Sequence, residues 1–129
     1  MKESLITFAP GMSSLFRAKR FIASFLRLTR VWNLVILALS QYFTAAMLIS
    51  LSNVFDWRFF LLVTSTCLIA AAGYIINDYY DIKIDLVNKP ERVVIGQGIT
   101  RRYAILLHTV LSLSGIAIGF FLGWQIGAI

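Results

Sequence analysis

Three long stretches of the chain, residues 31–55, 59–77 and 103–129, carry no Lys, Arg, Asp or Glu. Each provides about the 20 residues that an α-helix needs to cross the hydrocarbon core of a bilayer. The pattern predicts an all-α membrane protein with three transmembrane helices, at about 31–51, 59–77 and 103–126. Residues 78–102 then form a charged connection between the second and third spans.

The segment before the first span alternates apolar and basic side chains. Between Met12 and Arg30 apolar residues recur at helical spacing, with Arg17, Lys19, Arg20 and Arg27 between them. Such a pattern fits an amphipathic helix that lies in the membrane interface. It also fits a positive flank that only fixes the topology, and the sequence leaves both interpretations open. We therefore divide the chain into 1–30, a tail with an interfacial helix, and 31–129, a transmembrane domain.

Composition agrees with a membrane protein: 59% of the residues are hydrophobic, 14% are charged and the mean hydropathy is +0.80. Six basic residues precede the first span, one separates spans one and two, and five separate spans two and three. Because basic residues favour the cytoplasmic side, we expect the N-terminus and the 78–102 loop in the cytoplasm. The net charge of +6 indicates contact with membrane lipids rather than nucleic acid, since the basic residues flank the spans.

Polar and small residues inside the spans predict helix packing. Gln41 is expected to connect two helices by a hydrogen bond, and His108 to bond a neighbouring helix rather than to perform chemistry. The third span carries glycines at every fourth position, which lets two backbones approach closely. We expect a helix partner along this ridge, which consists of Gly115, Gly119, Gly123 and Gly127.

An acidic cluster follows the second span directly. Three of the six acidic residues of the chain lie within residues 77–85. If the helix continues through this segment, Asn77, Asp81, Asp85 and Asp78 lie at about 0°, 40°, 80° and 100° around its axis. Three carboxylates on one face repel one another unless a cation neutralises them.

A divalent metal is the cation that this donor set predicts. Mg²⁺ prefers carboxylate and water oxygens and usually completes its shell with substrate phosphates. Nearby basic residues (Lys83, Lys89 and Arg92) would hold phosphate oxygens directly. At a membrane surface the expected ligand is an amphiphile with a diphosphate head and a lipid tail. The alternative is a solvated helix end whose charges pair locally, for example Asp85 with Lys89.

The motif resembles the first aspartate-rich motif of the UbiA superfamily of intramembrane prenyltransferases. The family pattern NDxxDxxxD is matched by Asn77, Asp78, Asp81 and Asp85, and residues 88–92 and Gly96 continue the likeness. The opening of span one, Arg30-x-x-Asn33, is also similar to a family feature. Val93 departs from the family, in which the preceding arginine is often followed by proline.

The resemblance implies Mg²⁺-dependent transfer of a polyprenyl group from a polyprenyl diphosphate to a lipophilic acceptor. It assigns catalysis to Asp78, Asp81 and Asp85, and metal binding to these three with Asn77. Substrate binding would fall to Asn33, Asn77, Lys89 and Arg92. The sequence around residues 88–94 favours an acceptor similar to geranylgeranylglycerol phosphate.

The fold expected from the resemblance is the first third of a bundle of about nine helices. After Asp85 the sequence contains no further Asp and one Glu, so the family's second aspartate-rich motif is missing. We therefore expect an N-terminal portion of an enzyme, with little activity alone. We considered two alternatives. The first, a CDP-alcohol phosphotransferase, is disfavoured because the DG and AR dipeptides of that family do not follow the acidic residues. A small non-catalytic membrane protein could instead bind a cation or a partner through the acidic face.

Overall fold

In the computed structural model, four helices account for most of residues 10–48, 54–88, 93–96 and 98–124, the part of the chain that the structure describes. The helices are α1 (Pro10–Leu28), α2 (Val31–Leu48), α3 (Trp57–Asn88) and α4 (Arg101–Leu122). α2, α3 and α4 are each long and apolar enough to cross a membrane, which confirms the three predicted spans. The protein is an all-α integral membrane protein.

The first helix differs from its prediction at both ends. It begins at Pro10, within a segment expected to be a loose tail, and proline is well tolerated in the first turn of a helix. It ends at Leu28 rather than Arg30. The Thr29 hydroxyl donates a 3.0 Å hydrogen bond to the Phe25 carbonyl, and Arg30 adopts a positive φ of 49°. The chain therefore turns sharply at residues 29–30 and enters α2.

The second span continues as one helix beyond its apolar part. α3 has 32 residues, which at 1.5 Å per residue corresponds to about 48 Å. A bilayer core is about 30 Å thick, so roughly a third of the helix projects beyond it when upright. Residues 78–88 thus extend the helix, as the lack of a helix breaker in the sequence predicts. Pro90, a residue type that interrupts helices, lies outside the described residues.

α3 and α4 form the most extensive helix pair. A Cβ atom at Gly115 would lie 2.7 Å from Ile69 Cγ1 and 3.0 Å from the Ser65 carbonyl oxygen, so only glycine allows this approach. The Ser65 hydroxyl donates a 2.7 Å hydrogen bond to the Gly115 carbonyl. Gly119 is also buried. The first half of the predicted glycine ridge therefore packs within the chain.

α4 ends at Leu122, and Gly123 adopts an extended conformation while its N–H still donates to the Gly119 carbonyl. Residues 125 and 126, the last two of the predicted span, lie outside the described residues. Gly127, the last member of the predicted ridge, lies outside the described residues.

Two polar side chains inside the spans have the partners expected of them. The Thr66 hydroxyl of α3 donates to Gln41 Oε1 of α2 over 3.0 Å. His108 Nδ1 of α4 lies 3.0 Å from the Ala72 carbonyl oxygen of α3. Both predictions of interhelical hydrogen bonds are confirmed, and the two bonds connect α3 to the helices on either side.

The segment before α4 was expected to be a loop, and the structure packs it into the core. Residues 94–96 and 98–99 belong to a tight turn in which Gly96 N–H donates to the Ile99 carbonyl over 2.7 Å, with Gly96 at φ 98°. Ile95 and Ile99 are almost fully buried. They belong to a cluster that joins the end of α1, α3 on both sides of the end of its apolar span, and the start of α4 (Leu28, Ile75, Ile82, Val94, Ile95, Ile99 and Ala104).

Candidate functional site

The predicted acidic face lies on the part of α3 that follows the apolar span. Asn77 and Asp81 are exposed, whereas Asp78 and Asp85 are half-buried. The uninterrupted helix fixes their spacing, so the four side chains keep the arc of about 100° expected from the sequence. The structure therefore bears out the helical geometry on which the site prediction depends.

Arg30 makes direct contact with this face. Its Nη2 atom donates a 2.8 Å hydrogen bond to Asp78 Oδ1, and the two oppositely charged side chains form an ion pair. Its guanidinium also lies over the Tyr74 ring, 5.3 Å from the centroid. The turn at residues 29–30 holds Arg30 at the junction of α1 and α2, so this contact ties the junction to the end of the second span.

The three carboxylates influence one another electrostatically. Burial raises the pKa of the Asp78 carboxyl above its ordinary value, and the hydrogen bond and charge of Arg30 oppose this rise. The negative charges of Asp85 and Asp81 raise the same pKa further. Since like charges on one helix face are unfavourable, a bound cation would stabilise the ionised form of the whole face.

The donor set fits a divalent cation whose shell is completed by a ligand. Among the described residues, no three His, Cys, Asp or Glu side chains converge closely enough to enclose a metal ion. Mg²⁺ commonly binds one or two carboxylates and takes its remaining oxygens from water and substrate phosphates. Asp78, Asp81 and Asp85 supply such carboxylates on an open face, with the Asn77 amide beside them.

The remaining predicted site residues are only partly placed. Asn33 is exposed in the first turn of α2, and its backbone N–H donates to the Arg30 carbonyl over 2.8 Å. Lys89 and Arg92 lie outside the described residues, so their assignment to diphosphate binding stays a prediction, as does the alternative Asp85–Lys89 pair. Lys83 is exposed on the projecting part of α3.

Arg30 is the residue that sequence reasoning missed as a contact of the acidic face. In the sequence it marks only the start of the Arg30-x-x-Asn33 pattern. Its position at the boundary between a basic segment and an apolar span is the one local feature that indicates a contact with an acidic residue at the membrane surface. The 48 residues that separate it from Asp78 hide the contact from any local pattern.

An apolar cavity of about 410 Å³ lies beside the site, between the end of α1, α2 and α3. Thr29, the neighbour of Arg30, forms part of its wall. Most of the other lining residues are aliphatic or aromatic, including Phe25, Leu34, Tyr42 and Leu68. The cavity therefore reaches the residue next to Arg30, and it offers the kind of space that a hydrocarbon chain occupies.

Comparison with known proteins gives a family and several relatives. A family described as the UbiA prenyltransferase family matches residues 34–129. The digeranylgeranylglyceryl phosphate synthase of Korarchaeum cryptofilum is 42% identical over 73 residues, which is 57% of this chain and 26% of the relative. The enzyme of the same name from Sulfolobus acidocaldarius is 39% identical over 102 residues, 76% of this chain and 36% of the relative.

A third relative, from Hyperthermus butylicus and also named digeranylgeranylglyceryl phosphate synthase, is 35% identical over 98 residues, 70% of this chain and 32% of the relative. The chain thus spans about a third or less of the length of these curated relatives. No solved structure matches the chain significantly. The family match covers most of the sequence and includes the acidic face, and the chain belongs to the UbiA prenyltransferase family.

Proposed function

We propose that this chain forms the first diphosphate-binding half-site of an intramembrane prenyltransferase. The observation that carries the proposal is the acidic face of α3, which follows a membrane span directly and is contacted by Arg30. The reaction would transfer a polyprenyl group from its diphosphate to a lipophilic acceptor. The names of the relatives support a glycerol phosphate acceptor that already carries one geranylgeranyl chain.

The proposed roles follow from charge and position. One or two of the carboxylates of Asp78, Asp81 and Asp85 would hold Mg²⁺, with the Asn77 amide oxygen as a further donor and phosphate and water oxygens completing the shell. When bound, the ion would neutralise charge that develops on the diphosphate as the allylic C–O bond breaks. Arg30 holds the Asp78 carboxylate in place through its 2.8 Å hydrogen bond.

The apolar cavity near the acidic face would protect the reacting prenyl group from water. Breaking the allylic bond leaves a carbocation, which water would capture in an open site. The walls contributed by Phe25, Tyr42 and Leu68 are apolar, and within a bilayer they would keep water away from the cation. A prenyl tail in the cavity would place the diphosphate head next to Thr29 and Arg30, and so at the acidic face.

The proposal is tested by binding rather than by turnover. The purified chain is titrated with Mg²⁺ by calorimetry, with and without geranylgeranyl diphosphate. We expect the diphosphate to tighten Mg²⁺ binding about tenfold or more, because phosphate oxygens complete the metal's shell. Asp81→Asn should abolish this synergy, since it removes an exposed carboxylate without changing the shape of the side chain.

Asp56→Asn is the matched control. Asp56 is exposed, lies before α3 at the opposite end of the span, and accepts a hydrogen bond from the Arg58 backbone N–H. This variant should retain the synergy of the unsubstituted chain. If diphosphate has no effect on Mg²⁺ affinity, or if both variants lose the effect equally, the chain is better described as a membrane protein whose acidic face binds a cation or partner without catalysis.

A further inference from the structure

A second polar site lies between α1 and the turn that precedes α4. It is a cavity of about 240 Å³ lined by Arg20, Ala23, Ser24, Arg27, Val93, Val94 and Gly98. None of these residues belongs to the acidic face or to the apolar cavity beside it. The prenyl-transfer roles proposed above leave this cavity without a function.

The wall formed by α1 is a stripe of polar side chains. Arg20, Ser24 and Arg27 are spaced at i, i+4 and i+7, which places them on one face of a helix. Both arginines are exposed and Ser24 is half-buried. The two guanidinium groups can therefore turn toward the cavity while they remain hydrated, and the serine hydroxyl lies between them along the helix.

The opposite wall is held firmly by the turn. Gly98 N–H donates a 2.8 Å hydrogen bond to the Val94 carbonyl, and Val93 and Val94 are buried. A Cβ atom at Gly98 would collide with Ser24 Oγ and lie 3.0 Å from Ser24 Cβ. Only glycine lets the turn come this close to α1, so the cavity has a defined shape on both sides.

The chemistry of the lining selects an anion. Its described lining contains two arginines and a hydroxyl, and no carboxylate from the part of the chain that the structure describes. Arginine's planar fork matches phosphate oxygens and binds them bidentately. Pockets for drug-sized ligands have volumes of about 300–1,000 Å³, so this smaller cavity suits a head group rather than a whole molecule.

The surroundings indicate that the anion is part of an amphiphile. On the same helix Phe21 and Ile22 leave 43% and 55% of their surface exposed, and Leu26 is exposed as well. Large apolar side chains beside exposed arginines are typical of helices that lie at a lipid interface. A phosphate held at Arg20 and Arg27 would then have its hydrocarbon part at the level of these apolar residues.

We propose that this cavity binds a phosphate group attached to glycerol, with Arg20 and Arg27 as its cationic ligands and Ser24 as a hydroxyl donor. The phosphate could come from a glycerol phosphate acceptor or from the head group of an anionic phospholipid. Identification with the acceptor rests on the proposed function, whereas phosphate binding itself does not. Arg27 lies three residues before Arg30, so the same end of α1 would serve both sites.

The test uses the full 129-residue chain in maltoside micelles, which contain no phosphate, and omits Mg²⁺ and prenyl diphosphate. One arm titrates sn-glycerol 1-phosphate by calorimetry. The other adds phosphatidic acid and counts retained lipid by native mass spectrometry. The double variant Arg20→Gln/Arg27→Gln should weaken binding about tenfold or more in whichever arm shows it, because both phosphate ligands are lost. Binding of sn-glycerol 1-phosphate assigns the site to the acceptor, and retention of phosphatidic acid alone assigns it to a lipid head group.

Lys19→Gln/Arg58→Gln is the control, since it removes the same charge from exposed positions outside the cavity. Its affinity should stay within about twofold of the unsubstituted chain. Circular dichroism should show unchanged helicity for both double variants. Absence of binding in both arms, or an equal loss in both variants, would overturn the proposal. Because Mg²⁺ and diphosphate are absent, the result does not depend on the Asp81→Asn experiment.

Discussion

Single atoms decide how closely the helices of this protein approach. At Gly115 the missing Cβ makes room for Ile69 and for the Ser65 carbonyl, and the Ser65 hydroxyl then reaches the Gly115 carbonyl. At Gly98 the missing Cβ likewise lets the turn before α4 pack directly against Ser24. The glycine repeat in the third span predicted the first contact from the sequence. The second was not predicted, because Ser24 and Gly98 are brought together only by the tertiary fold.

The contribution of Gly115 can be measured against a matched glycine. Gly115→Ala should destabilise the protein by about 1–3 kcal/mol, because an added methyl overpacks the α3–α4 interface. Gly73→Ala is the control, since a Cβ there would meet nothing within 4 Å. It should be neutral or slightly stabilising, as alanine is favoured over glycine within helices. Thermal unfolding followed by circular dichroism in detergent measures both, and equal midpoints for the two variants would contradict the close-packing argument.

The elements show which features a local pattern can reveal. The three spans, the continuous α3 and the bonds of Gln41 and His108 follow from hydropathy and from the cost of burying polar groups. The end of α1 and the packing of Val94, Ile95 and Ile99 do not follow from a local pattern. Both depend on contacts with elements distant in sequence, and apolar residues at 93–95 and 99 were the only indication that this loop is buried.

The buried turn gives a prediction at the scale of an element. Ile95 is 2% exposed within the cluster that joins α1, α3 and α4. Ile95→Ala should cost about 2–5 kcal/mol locally, since it leaves a cavity in a packed core. Hydrogen exchange at the Gly96, Gly98 and Ile99 amides should accelerate strongly. Ile84→Ala, at a position 60% exposed on α3, should leave these rates unchanged. Equal acceleration by both substitutions would show that the turn is not held by this cluster.

At the scale of the whole molecule, the acidic face, the Arg30 contact and the proposed phosphate cavity all involve the same end of the helices. Arg30 follows α1 and pairs with Asp78, and the turn that precedes α4 packs in one cluster with Leu28 of α1 and Ile82 of α3. The sequence predicted this side to be cytoplasmic from the distribution of basic residues. It could not predict that α1 and the turn would pack there together, because no local pattern encodes their mutual position.

The orientation is tested by labelling single cysteines in a Cys67→Ala background. Ile84→Cys reports on the projecting part of α3, and Asp56→Cys on the segment before α3; both positions are exposed. In intact cells a membrane-impermeant maleimide should modify the cysteine at position 56 and spare that at position 84. Permeabilised cells should show labelling at both. The reverse pattern in intact cells would place the acidic face outside the cytoplasm.

The length of α3 ties the chemistry of the acidic face to the lipids around it. This helix runs without interruption for 32 residues, from Trp57 to Asn88, and the carboxylates lie on its projecting, C-terminal part. A helix without a kink adjusts to a change in bilayer thickness by tilting or by shifting along the membrane normal. Lipids with shorter or longer acyl chains would therefore shift the depth at which the carboxylates meet the head groups, and membrane thickness becomes a control on how easily a diphosphate reaches them.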